Sequence, residues 1–149
     1  MRFRLTLFLF STIFFIPQFV TADEDKKEAH PEIRLEAAKK TLLNSSKISL
    51  IYVKGLVCPS CAIGIRKNLS KMKGVDKKRF KDGIDMNPET QLVTIALKDG
   101  AELDNKDLIE RVVDAGYFAV EEYKLHESHL DAHQFKPDAT IEVVHHTHK

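Results

Sequence analysis

The chemistry of this chain concentrates on Cys58 and Cys61, the only two cysteines, in the stretch Gly55-Leu56-Val57-Cys58-Pro59-Ser60-Cys61. At C-x-x-C spacing, in a loop that leads into a helix, both sulfurs can turn toward one point. A helix N-terminus offers unpaired N–H groups and partial positive charge, which lowers thiol pKa and favours the thiolate that binds metals. Pro59 lacks an N–H but costs little in a first helical turn. The loop holds no histidine or carboxylate. Two thiolates alone suit a soft ion, Cu(I) or Hg(II), either of which accepts two near-linear sulfurs. Zn(II) usually wants four ligands, so here it would need borrowed histidines or a second chain.

Six of the seven histidines fall in the tail, residues 126–149. His126, His129 and His133 are spaced i, i+3, i+7 and would share a face on a helix. With His145, His146 and His148 they suggest an auxiliary site for Zn(II), Ni(II) or Cu(II). The plainer alternative is a polar, solvated tail with little independent structure, although Thr140–Val144 could form a brief strand.

The elements around the cysteines follow from pattern. Pro31–Asn44 reads as a short amphipathic helix with proline in its first turn. Ile48–Val53 is strand-like and apolar on both faces, which calls for cover on each side, from that helix, the tail or a partner. Pro59–Met72 has helical spacing, with Ala62, Ile65, Leu69 and Met72 on one side and Gly74 as its stop. Ile84 and Met86 mark a short strand, Asn87–Thr90 a turn, and Gln91–Leu97 another strand. Asp104 can cap a helix carrying Leu108, Ile109, Val112 and Val113, with Asp107 in its first turn. Gly116 ends that helix, and Tyr117–Tyr123 is the last strand. The order β-α-β-β-α-β predicts an α+β, ferredoxin-like sandwich: one four-stranded antiparallel sheet with two helices on one face.

Gly55, Cys58 and Cys61, then Gly74-Val75, then Ala115-Gly116-Tyr117, resemble the pattern of the heavy-metal-associated domain family over residues 47–125. Within it the chain looks most like small periplasmic mercury-binding proteins, and next like copper chaperones. The resemblance implies the ferredoxin-like fold, Cys58 and Cys61 as metal ligands, and Tyr117 beside the metal loop. It also implies that Leu56, where the family usually has Met, packs under the loop; the swap is apolar and nearly isosteric. A membrane metal transporter or another metal-binding domain is the implied exchange partner. The connection after Gly74 is longer than usual for the family.

Residues 1–22 have the form of a cleaved secretory signal: Arg2 and Arg4, an apolar run from Leu5 to Ile16, Pro17, and small residues up to Ala22. The expected product is a soluble periplasmic or otherwise exported protein. It comprises a charged linker and short helix over 23–46, the metal-binding domain over 47–125 and the His-rich tail over 126–149. Cleavage removes two of the 23 basic residues and none of the 22 acidic ones, leaving 21 against 22. That near-neutral balance gives no support to nucleic-acid binding. Lys and Arg nonetheless cluster over 66–81 and acids over 99–122, either as solvated faces or for electrostatic docking to an acidic partner.

No nucleophile–base constellation, P-loop or dinucleotide glycine motif is present, so an enzyme is not expected. Two other functions use the same cysteines. One is thiol–disulfide exchange, which Cys-Pro-Ser-Cys fits locally although Val57 stands where thioredoxin-like proteins carry an aromatic. The other is an interaction module in which the cysteines form a disulfide and bind no metal.

Overall fold

The structure, a computed structural model, describes residues 28–60 and 62–136, and the backbone of 141–144. The expected signal segment, Cys61, His145, His146 and His148 lie outside the described residues.

Helix α1 spans Pro31–Asn44, with proline in its first turn as its sequence predicts. Strand β1, Ile48–Lys54, leads through Gly55 and the cysteine loop to α2, Ala62–Leu69. This helix is shorter than the expected Pro59–Met72. After Leu69 the chain tightens into i→i+3 bonds, from Lys71 N to Asn68 O and Met72 N to Leu69 O, which still leave Met72 buried. Strands β2, Ile84–Asn87, and β3, Leu92–Ala96, follow. Helix α3, Asn105–Asp114, begins at Asp104, whose carboxylate accepts from Asp107 N at 2.9 Å. Then come β4, Phe118–His126, β5, His129–Phe135, and β6, Ile141–Val144.

The strands form one antiparallel sheet in the order β2-β3-β1-β4-β5-β6. Its first four members carry the ferredoxin-like arrangement. The expected sheet of four strands is corrected to six among the described residues, because the chain does not leave the sheet after β4. Glu127 and Ser128, both at positive φ, form a tight two-residue turn that folds β5 back onto β4, with His126 opposite His129. β4 also carries a bulge: Tyr52 pairs with Glu121 but Val53 with Ala119, leaving Val120 extra.

β1 is buried on both faces because the sheet has two cores. On one side Ile51, Val53, Val93 and Ile95 meet Ala62, Ile65 and Leu69 of α2 and Leu108 and Val112 of α3. On the other, Leu50, Tyr52, Leu92, Tyr123 and Ala132 meet Ala38 of α1, with Leu35 and Leu42 packed against them. Arg34 pins α1 down. Its guanidinium lies 3.6 Å from the centre of the Tyr52 ring, and its Nε donates to Tyr123 Oη at 3.3 Å. Tyr123 in turn donates to Glu121 at 2.6 Å, Tyr52 donates to Glu28 at 3.0 Å, and Ala29 N donates to Gln91 Oε1 at 2.8 Å. Burial and the neighbouring carboxylates push the Tyr52 hydroxyl up to about 12, and raise that of Tyr123 as well.

Candidate metal centre

β1 ends where the chain must turn sharply, and Gly55 takes the positive φ, +86°, that this requires. Leu56 then drops its side chain into the core beneath the loop and is fully buried, which anchors the segment ahead of Cys58. Pro59 and Ser60 are exposed and Cys58 is half-buried, so the sulfur of Cys58 sits at the rim of the fold rather than inside it. Ala62 and Ile65, both buried, hold the first turns of α2 against the sheet. Ile63 N donates to Ser60 O at 3.3 Å, tying the loop to the helix start.

Cys58 is disulfide-bonded. Ser60 Oγ lies 3.3 Å from Cys58 Sγ. A hydroxyl aimed at the sulfur donates equally well to a thiolate, and donation to the charged form favours it. Sequence reasoning missed Ser60. Its position two residues after Cys58, where a short polar side chain can reach back, was the available signal.

Tyr117 reaches the same loop from the far end of α3. Ala115 N and Gly116 N donate to Val112 O and Val113 O, and Tyr117 N to Val112 O, closing the helix so that β4 starts beside β1. A Cβ on Gly55 would lie 3.4 Å from Tyr117 Cδ1, so the ring rests against the glycine that opens the loop. Phe118 is paired with Lys54 at the end of β1 and is 64% exposed, and Ile63 on α2 is 65% exposed. The cysteine loop therefore has apolar side chains open to solvent around it.

The structure does not bring the histidines to this loop. β4 starts opposite Lys54 and runs away from it, so His126 lies eight residues further on, a distance of about 26 Å along the strand. His129 faces His126 across the hairpin turn, and His133 is paired with Glu122 midway along β4. The i, i+3, i+7 spacing thus falls on strands rather than on one helix face. His126 Nε2 is 3.9 Å from Asp131 Oδ2, while His133 Nε2 is buried without a hydrogen-bond partner. Among the described residues no group of three or more His, Cys, Asp or Glu is placed to hold a metal ion.

Residues 50–118 match the heavy-metal-associated domain family. The matched segment runs from β1 to the first residue of β4 and contains the whole cysteine loop. Heavy-metal binding is the property this match points to. Neither a curated protein nor a solved structure gives a significant match to the chain. No helix among the described residues is long and apolar enough to cross a membrane.

Proposed function

We propose that this protein is an exported carrier of one soft metal ion, Cu(I) or Hg(II), held by the thiolates of Cys58 and Cys61, and that it is not an enzyme. The observation that carries this reading is the position of Cys58, in the turn between β1 and α2 of the segment that matches the heavy-metal-associated domain family, with Ser60 beside its sulfur and Tyr117 against the loop. Metal is cargo here. Reduction of the disulfide by a thiol reductant supplies the two electrons that free both sulfurs. A donor's thiolate shares the ion with them, coordination rises briefly, and the donor's ligand leaves. The acceptor is a membrane metal transporter or another metal-binding domain.

The test is an anaerobic titration of the reduced protein with Cu(I) and Hg(II), read by native mass spectrometry. One ion per chain is expected, with binding sharply weakened in Cys58→Ser and in Cys61→Ser. Unchanged stoichiometry and affinity in both variants would refute the assignment.

One observation favours a second reading: the disulfide at Cys58 is the form a thiol–disulfide exchange protein would hold at rest. That function requires the metal-free protein to oxidise or reduce a test disulfide at a rate the two serine variants abolish.

A further inference from the structure

The connection from α2 to β2 is the part of the chain that the metal chemistry leaves unused. Residues 71–82 hold Lys71, Lys73, Lys77, Lys78, Arg79 and Lys81 against only Asp76 and Asp82. All five lysines are exposed, and none has an ion-pair partner among the described residues. The segment is nevertheless held firmly. Asp76 N donates to Ala96 O, Gly83 N to Arg79 O and Ala96 N to Gly83 O. Arg79 Nη1 donates to both Ser46 O and Lys47 O at 3.0 Å, which fixes the turn to the start of β1. At its tip Phe80, at positive φ, is 44% exposed between Arg79 and Lys81. A cleft of about 740 Å³ opens beside Arg79, lined by Lys47, Lys78, Arg79 and Lys98 together with Asp76 and Asp99.

We propose that the turn of residues 77–81 docks the protein on an anionic phospholipid surface, with Phe80 entering the interface and the lysines facing the headgroup phosphates. Lysines close to such a surface each contribute attraction, and an aromatic ring among them adds burial of apolar area. An acidic protein partner fits less well. Arg79, the side chain best suited to fork a carboxylate, already donates to two backbone carbonyls. Orientation follows from the fold. Arg79 grips the beginning of β1 and the cysteine loop follows its end, seven residues and about 20 Å away. Docking through the turn would hold the cysteine loop on the side facing away from the lipid. None of this depends on which metal the loop takes.

The experiment uses residues 23–149, which contain every described element, with phosphatidylcholine vesicles lacking or containing phosphatidylglycerol. Co-sedimentation is expected only with the anionic vesicles and should fall as salt rises. Replacing Lys77, Lys78 and Lys81 by Glu should weaken it by at least about 100-fold, with circular dichroism confirming the fold. The chain has no tryptophan, so Phe80→Trp supplies a single reporter whose emission should shift to the blue on anionic vesicles. Equal binding to both vesicle types, no binding, no effect of the triple substitution or no emission shift would each overturn the proposal. Two competition outcomes would also overturn it. Displacement by inorganic phosphate beyond that of chloride at equal ionic strength would make the cleft a site for a free anion. Displacement by polyglutamate at equal ionic strength, again beyond that of chloride, would make the partner an acidic protein.

Discussion

The ring of Tyr117 rests against Gly55, so the residue that ends α3's turn into β4 supports the residue that begins the cysteine loop. Gly55 sits at φ +86°, where an L side chain is strained, although a Cβ there would meet the ring only in ordinary contact. Gly55→Ala should therefore destabilise the protein by about 1–2 kcal/mol from backbone strain, measured by urea unfolding. Tyr117→Phe should keep the loop's metal affinity and Tyr117→Ala should lower it, in the same titration that tests the cysteines. Equal affinity in both variants would remove Tyr117 from the site.

Arg34 is 8% exposed and serves two aromatic partners at once, the Tyr52 face and the Tyr123 hydroxyl. Arg34→Ala removes both contacts and the bond to Ala29 O, for an expected loss of about 2–4 kcal/mol. Arg34→Lys should recover only part of it, because an ammonium cannot stack and donate in the same plane. Denaturant midpoints of the three proteins would show the order.

Alkaline pH acts on the same contact. Folding holds the Tyr52 hydroxyl protonated to about 12 and raises that of Tyr123, whereas the unfolded chain releases these protons near 10. Below about pH 10 both states keep the protons and stability is full. From there up to about pH 12 the unfolded state is progressively favoured, so stability should fall across that window. Unfolding free energies followed through it, together with tyrosinate absorbance, check this. A flat profile would contradict the buried network.

The hairpin makes a different kind of prediction. Removing residues 127–149 would take β5 away from β4 and uncover Tyr123, which is 1% exposed, along with the packing of Leu130 and Ala132. A loss of at least about 3 kcal/mol is expected. Substituting the exposed pair His126 and His129 by Gln should stay within about 0.5 kcal/mol of the parent. Thermal melts of the two variants would separate a structural tail from a merely polar one.

Much of this was legible in the residues. Pro31 and Asn44 bounded α1, and Asp104 marked the start of α3. The doubly apolar β1 required cover on both sides, which α1 and the α2–α3 layer supply. The six-stranded sheet was not legible, for two physical reasons. Glu127-Ser128 lacks the Asn or Gly that normally signals a two-residue hairpin. β5 itself (His-Leu-Asp-Ala-His-Gln-Phe) has only Leu130 and Ala132 to offer one core and Phe135 the other, too few apolar residues to set a period of two. At the site, the C-x-x-C spacing and Tyr117 could be singled out beforehand. The separation of the histidines from the cysteines could not, since it depends on the direction in which β4 leaves the loop.

The lid formed by α1 has a consequence for anyone who would cut this protein up. The family match begins at Leu50 and stops at Phe118, but the packed core extends back to Arg34 and Ala38 and on to Ala132. An excised piece trimmed to the matched limits would leave Leu50, Tyr52 and Leu92 facing water as a sticky sheet face. Grafting or tandem duplication of this module would have to carry its own roof along.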